Sequence, residues 1–138
     1  MTDGSQEKSI PELLREAGLR PTRQRTALAE LLFAKGDRHL TAERLHEEAV
    51  GKNVPVSLAT VYNTLHQFTQ AGLLREVAVE GSKTYFDTNT SNHYHFFCER
   101  DGVLMDIATN DLMVQGLPEP PDGMEISRID VLVRLVEK

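Results

Sequence analysis

The segment from Val54 to Leu74 has a helical apolar pattern, and it constrains the fold of this chain more than any other segment. Ser57 is a favoured residue at a helix start and Gly72 at a helix end, so we predict a helix between them. Its apolar residues recur at steps of three and four and form one stripe: Leu58, Val61, Tyr62, Leu65 and Phe68. This stripe is expected to pack on a core.

The opposite face of this helix is polar and uncharged, with Thr60, Asn63, Thr64 and Gln67. No Asp or Glu occurs between Asn53 and Arg75, although the chain has 21 acidic residues. Short polar side chains without carboxylates can approach DNA phosphates without repulsion. An ordinary amphipathic helix with a neutral outer face would explain the same pattern.

The segments before this helix predict a helix-turn-helix. Ser9, Thr22 and Thr41 are each placed to cap a helix, and the helix after Thr41 leads into the segment described above. In this arrangement the second helix of the pair enters the major groove of DNA. Three arginines, Arg20, Arg23 and Arg25, fall within six residues beside it. Such clusters are usually solvated surface, but here they are candidates for phosphate or minor-groove contacts.

A β-hairpin is predicted directly after the helix, with strands at 75–79 and 83–86 and a turn at 80–82. A hairpin in this place makes a winged helix, whose wing offers Lys83 to the DNA backbone. Together with the helix, these patterns indicate seven candidate DNA-binding residues: Arg20, Arg23, Arg25, Ser57, Thr60, Asn63 and Lys83.

The net charge of −6 is concentrated in the second half of the chain. Residues 1–85 hold 11 basic and 11 acidic residues, whereas residues 86–138 hold 4 and 10, so a basic patch in the first half is possible. The fold class expected is α+β, an N-terminal winged helix-turn-helix followed by a small α/β dimerisation domain. The predicted domains are a DNA-binding domain at 1–86, a hinge at 87–92, and a dimerisation and metal- or haem-sensing domain at 93–138.

The composition limits where this protein is expected in the cell and what its cysteine can do. Hydrophobic residues at 40% and charged residues at 26% are typical of a soluble globular protein. No segment resembles a membrane span or a signal peptide, so we expect a cytoplasmic protein without a membrane partner. The single Cys98 excludes an internal disulfide and a zinc site of four cysteines within one chain.

The second half is predicted to contain strands at 93–98, 103–107 and 129–135, and a short helix from Thr109 to Val114. This half has too small a core to stand well alone, so we expect it to pair with a copy of itself and make a homodimer.

Two histidines separated by one residue suggest a metal site in this half. His93 and His95 alternate on a predicted strand, so their rings share one face. Asp87 lies upstream, Asp106 lies on the next strand, and His39 precedes the third helix. Nitrogen and carboxylate oxygen ligands suit Fe(II), Mn(II) or Zn(II). A pair of surface histidines without a metal is the plainer interpretation.

Other classes of protein account for less of the sequence. A metal-dependent hydrolase could use the histidine pair, and Cys98 could be a nucleophile, but it follows two phenylalanines and is more typical of an apolar packing residue. No Gly-rich phosphate loop or nucleophile elbow is present. A protein-interaction domain would leave the acid-free helix and the arginine cluster unexplained. We therefore do not expect an enzyme.

The chain resembles the ferric uptake regulator family across nearly its whole length. The matching motifs, in order, are GLRPTRQR, HLTAERLH, VSLATVYNTLHQFTQAGLL, GSKTYFD and HYHFFC. The resemblance implies a dimeric winged-helix regulator that binds palindromic double-stranded operators and senses metal status. It implies that Tyr62 meets bases and that Arg20 enters the minor groove. The residues at the family's regulatory metal positions are His39, Asp87, His93, His95 and Asp106.

The resemblance also has branches and departures. LPEPPDGMEI looks like the iron response regulator branch, which is associated with control of iron and haem genes, and His93 or His95 would then be a haem ligand. Aspartates at 87 and 106 resemble the peroxide-sensing branch, so a peroxide- or manganese-responsive regulator is the alternative. Asp101 stands where the second cysteine of the family's CxxC zinc motif belongs, so a structural zinc site is not expected.

Overall fold

The computed structural model describes residues 8–80 and 83–138, apart from the side chains at 80, 83 and 109. The chain divides into two compact units, Met1–Thr90 and Ser91–Lys138. The predicted turn at 80–82 falls mostly outside the described residues. None of the described helices is long and apolar enough to span a membrane.

The helices described in the first unit are α1 (Ile10–Glu16), α2 (Arg23–Phe33), α3 (Ala42–Gly51) and α4 (Leu58–Gln70). Each begins after the residue that the sequence predicts as its cap: Ser9, Thr22, Thr41 and Ser57. In each case the side-chain oxygen accepts the backbone N–H three residues later, which is unpaired in an isolated helix start.

Buried apolar side chains from these helices meet in one core. Leu28 of α2, Leu45 of α3, and Leu65 and Phe68 of α4 are fully buried. Burial of each such side chain contributes about 1.5–3 kcal/mol. The core holds α4 by its apolar stripe and leaves Asn63 and Gln67 exposed. The predicted packing of α4 is therefore confirmed. Thr64 was wrongly predicted on the outer face: it is buried, because it lies beside the stripe residues Val61, Leu65 and Phe68 on the helix.

The sheet of the first unit has the order β1-β3-β2 among the described residues, with β1 (His39–Leu40), β2 (Arg75–Glu80) and β3 (Lys83–Asp87). Strands β2 and β3 form the predicted antiparallel hairpin after α4. The short strand β1 was not predicted, because two residues are too few to show alternation. Its pairing with β3 places His39 opposite Asp87.

The sheet of the second unit has the order β5-β4-β6 among the described residues, with β4 (Tyr94–Cys98), β5 (Val103–Ile107) and β6 (Leu132–Leu135). Strands β4 and β5 are antiparallel, as predicted, whereas β6 runs parallel to β4. The last strand is shorter than predicted because β4 begins only at Tyr94. The helix predicted from 109 to 114 was wrong, since only a 3-10 turn at Thr109–Asp111 forms.

Candidate functional site

The second unit brings two histidines and a carboxylate together. His95 lies on β4, and the β4–β5 register places Asp106 directly opposite it. Asp106 Oδ1 is 3.5 Å from His95 Nε2 and 3.6 Å from His93 Nε2. The two rings are buried and meet edge to face, with centroids 4.5 Å apart. Alternation along the chain thus correctly predicted that both rings share one face.

The hydrogen bond of His93 sets its tautomer. Its Nδ1 lies 2.7 Å from the Ser91 carbonyl oxygen, which can only accept, so Nδ1 carries the proton and donates. Nε2 is therefore the ring nitrogen that lies on the side of Asp106, where it would bind a metal. Such a backbone partner orients metal-binding histidines in proteins and makes them stronger ligands.

The spacing of this cluster fits a single metal ion. Ligand atoms of His93, His95 and Asp106 all lie within 4.8 Å of one another. Two ligands about 2.1 Å from a common ion are separated by about 3.0–3.5 Å, close to the distances found. The ligand atoms are imidazole nitrogens and a carboxylate oxygen, and such a set binds Fe(II), Mn(II) or Zn(II) better than a soft ion.

The other two predicted ligands, His39 and Asp87, lie in the first unit. They face one another across the β1–β3 pair, and Asp87 is 1% exposed. The backbone N–H of Asn89 donates to Asp87 Oδ1 at 2.9 Å. On its other side, Asp87 pairs in register with Arg75, which is also buried. The sequence did not single out Arg75, since a strand arginine resembles an ordinary surface charge.

A groove of about 370 Å³ in the first unit collects several predicted DNA-binding residues. It lies between the start of α2 and the polar face of α4, and it is lined by Arg20, Thr22, Gln24, Arg25, Thr60, Asn63, Thr64 and Gln67. Arg23 lies instead in a neighbouring groove with Arg15 and Glu30. The side chain of Lys83 lies outside the described residues.

Two predicted DNA-binding residues have structural roles. Ser57 caps α4, and its hydroxyl donates to Thr60 Oγ1 at 3.0 Å. The Tyr62 hydroxyl donates to Glu43 Oε2 at 2.8 Å. This hydrogen bond is the main reason that the pKa of Tyr62 is raised above its usual value, with burial and the carboxylate charge adding to it. Sequence reasoning missed Glu43, because 19 residues separate it from Tyr62 and no periodic pattern links them.

The single cysteine has a carboxylate as its neighbour. Cys98 Sγ lies 3.5 Å from Asp101 Oδ2, where a thiol can donate a weak hydrogen bond. Asp101 is the residue that replaces the second cysteine of the motif discussed above. Cys98 is partly exposed at the end of β4.

A winged helix followed by a sheet that carries a mixed histidine and aspartate cluster defines a metal-responsive transcriptional regulator. The sequence model of the ferric uptake regulator family matches residues 16–131, and the chain belongs to that family. The resemblance and the fold class predicted from the sequence are therefore confirmed. The assignment to the iron response regulator branch stays a prediction.

Curated relatives carry names that refer to peroxide. The chain is 38% identical to the peroxide-responsive repressor PerR of Staphylococcus epidermidis over 104 residues, 75% of this chain and 68% of that protein. It is 39% identical to the peroxide operon regulator of Bacillus subtilis over 99 residues, 72% of this chain and 68% of that protein.

Solved structures show the same fold. The Pseudomonas aeruginosa ferric uptake regulator with manganese matches with a TM-score of 0.73, 24% identity, and coverage of 95% of this chain and 99% of that one. The Campylobacter jejuni peroxide stress regulator matches with a TM-score of 0.61 and 20% identity, covering 99% and 98% of the two chains.

Proposed function

We propose that this chain is a homodimeric transcriptional repressor that binds palindromic duplex DNA when loaded with metal and releases it in response to peroxide. The observation that carries the proposal is the cluster of His93, His95 and Asp106, whose ligand atoms lie around one point. The names of the curated relatives support peroxide as the signal. They favour this alternative over the iron and haem reading that the sequence first suggested.

The proposed metal site also includes His39 and Asp87. The proposal is supported by their positions opposite one another on β1 and β3, and by the burial of Asp87. Asp87 is the first residue of the proposed hinge at 87–92, and the two histidines follow the hinge. A metal shared across the hinge would act through its different affinity for two arrangements of the domains.

The choice of metal would determine the response. Fe(II), when bound, would supply an electron for the reduction of peroxide, whereas Mn(II) would give up an electron much less readily. The protein would contribute the ligands: His93 and His95 are buried, and the Ser91 carbonyl orients the His93 ring. Zn(II) would fill the same site without redox chemistry.

The proposed DNA surface is the polar face of α4 with the arginines near α2. Arg20, Thr60 and Asn63 line one groove, which supports their assignment to a single interface. We keep Arg23, Ser57 and Lys83 as proposed backbone contacts. Tyr62 is proposed to reach a base through its ring, since its hydroxyl is held by Glu43.

Iron and haem control is the second candidate function. It rests on the resemblance of residues 117–126 to the iron response regulator branch, with His93 or His95 as the haem ligand. The two candidates differ in their input, so one set of titrations separates them.

The test uses protein loaded anaerobically with Fe(II) or Mn(II), and duplex DNA selected from a random library. We expect both forms to bind, and peroxide to raise the Kd of the Fe(II) form at least about ten-fold without changing the Mn(II) form. A tenfold change corresponds to about 1.4 kcal/mol. Fluorescence anisotropy measures both values.

The matched variants are His93→Ala with His95→Ala against His46→Ala, since His46 lies on α3 outside the cluster. The double variant should lose metal-dependent DNA binding, while His46→Ala should keep it. Haem that changes DNA binding while metal and peroxide do not would favour the second candidate. An absence of DNA binding in every state would overturn both.

A further inference from the structure

The guanidinium group of Arg25 is engaged in hydrogen bonds within the first unit. Its Nη1 donates to the Arg20 carbonyl at 3.0 Å. Its Nε and Nη2 both donate to Gln67 Oε1, at 3.3 and 3.1 Å. Three of the five guanidinium N–H donors are therefore used in one bridge between the loop before α2 and the polar face of α4.

The preceding residue makes a second connection to the same helix. Gln24 Nε2 donates to the Pro55 carbonyl at 3.2 Å, in the connector just before α4. Gln24 and Arg25 are adjacent in the first turn of α2. They bind the connector just before α4 and the third turn of α4, respectively. Thr22, which caps α2, fixes where this first turn begins.

We propose that Arg25 is a positioning residue that sets the DNA-sequence preference of α4, rather than a phosphate contact. Its bridge fixes the location of Arg20 relative to Thr60 and Asn63 across the groove. The proposal rests on the DNA-binding function proposed above. It differs from the phosphate or minor-groove contact that the sequence suggested for Arg25, because an arginine in a basic cluster does not reveal its partner.

Lysine is the informative substitution at this position. Lys keeps the positive charge but has no planar fork, so it cannot join Gln67 and the Arg20 carbonyl as Arg25 does. Loss of the bridge would leave Arg20 less firmly positioned relative to the polar face of α4, and both are proposed to contact DNA. A phosphate contact, in contrast, needs mainly the charge.

The experiment compares Arg25→Lys with the control Arg44→Lys, since Arg44 is an exposed residue of α3 that does not line the groove. Anisotropy titrations on a selected duplex and on a random duplex, at several salt concentrations, give the operator preference and the salt dependence. Arg25→Lys should lower the operator preference roughly ten-fold, the size of one lost base contact. Its affinity for random DNA and its salt slope should stay near those of the parent.

A double-mutant cycle with Gln67→Ala checks that the bridge is responsible. If Arg25 acts through Gln67, Arg25→Lys with Gln67→Ala should lose no more preference than the larger single loss. The proposal would be overturned if the two fold-losses of operator preference multiplied in the double variant. It would also be overturned if Arg25→Lys kept the operator preference of the parent. A third variant, Arg25→Ala, tests the phosphate contact directly. If it weakened binding equally on the selected and random duplexes and lowered the salt slope by about 0.9, Arg25 would be a phosphate contact and the proposal would be wrong.

Thermal unfolding of each variant shows whether the fold is kept. Gln67→Ala is the second variant, since it breaks the bridge from the solvent side of α4 and leaves Arg25 in place. A parental operator preference in folded Gln67→Ala also contradicts the proposal. If the parent protein itself binds no DNA in any metal state, the proposed function fails first, and the variants are not needed to show it.

Discussion

Tyr62 is held at its hydroxyl by Glu43, so that its ring is oriented from the protein side. The ring also stacks on His66, with centroids 6.4 Å apart, and packs against the core. A side chain restrained in this way loses less conformational freedom on binding DNA. Glu43 and Arg25 therefore share a role in the proposed interface, since each fixes a neighbour rather than reading DNA.

Replacing Glu43 should change the ionisation of Tyr62. The hydrogen bond to Glu43 raises the pKa of Tyr62, so this tyrosine keeps its proton to a higher pH than an ordinary one. In Glu43→Ala the pKa should fall toward its ordinary value of 10.0. Ultraviolet titration of tyrosinate, with Tyr62→Phe to identify the signal among three tyrosines, measures the shift.

Glu43→Gln is the matched control for this prediction. Gln keeps an acceptor near the hydroxyl but removes the charge, so it should lower the Tyr62 pKa less than Glu43→Ala does. A Tyr62 ionisation that is identical in all three proteins would show that the hydroxyl does not depend on Glu43.

Arg38 joins three elements of the first unit. Its Nη1 and Nη2 donate to the two carboxylate oxygens of Glu48 on α3, at 3.0 and 2.6 Å. Nη1 also donates to the Leu31 carbonyl of α2. Its backbone N–H and carbonyl pair with Thr88, just beyond β3. This network positions the short strand β1, which carries His39.

Glu48→Gln should destabilise the protein by about 1.5–3 kcal/mol at pH 7, the range for hydrogen bonds to charged groups. The hydrogen bond from Arg38 is the main reason that the pKa of Glu48 lies below 4.5. The stabilisation is therefore present above pH 4.5 and is lost as the pH falls through the lowered pKa. Urea unfolding of the parent and of Glu48→Gln, at pH 7 and at a pH below the lowered pKa, measures this stabilisation.

Glu47→Gln is the control, since Glu47 is an exposed residue of the same helix. It should change the free energy of unfolding by less than about 0.5 kcal/mol. An effect of Glu48→Gln that does not shrink at low pH would show that packing, and not the ion pair, is responsible.

The second unit is small and sheet-rich, and several of its apolar residues are exposed. Met113, Leu117, Met124 and Ile126 lie between β5 and β6 with exposures of 49–77%. A surface of this kind is consistent with the proposed homodimer, in which a second copy would cover it. The sheet itself is held by β4, which pairs with both neighbours.

Chelation should leave the folded protein intact. Cys98 faces a carboxylate at Asp101, and the chain has no second cysteine for a structural zinc site. After dialysis against a chelator, circular dichroism and the mass in solution should be unchanged, since structural zinc would contribute folding energy directly. Cys98→Ser should also keep the melting temperature. Stoichiometric zinc whose removal unfolds the protein would contradict this prediction.

Short-range features of this protein were determined by the sequence alone. The cap residues Ser9, Thr22, Thr41 and Ser57 bond within three residues, so their oxygens and the helix starts are visible together in the chain. The alternation of His93 and His95, followed by a tight turn, likewise indicated the face that meets Asp106. The family motifs span most of the chain and identified the fold class.

Only the tertiary structure decided the long-range partners. Arg25 and Gln67 are 42 residues apart, and Tyr62 and Glu43 are 19 apart. Such pairs depend on how α2, α3 and α4 pack, and neither spacing nor propensity encodes that packing. The pairing of β1 with β3 and the parallel course of β6 were hidden for the same reason. Local hydrogen bonds can be read from neighbouring residues, whereas the partners of a long side chain exist only once the core has formed.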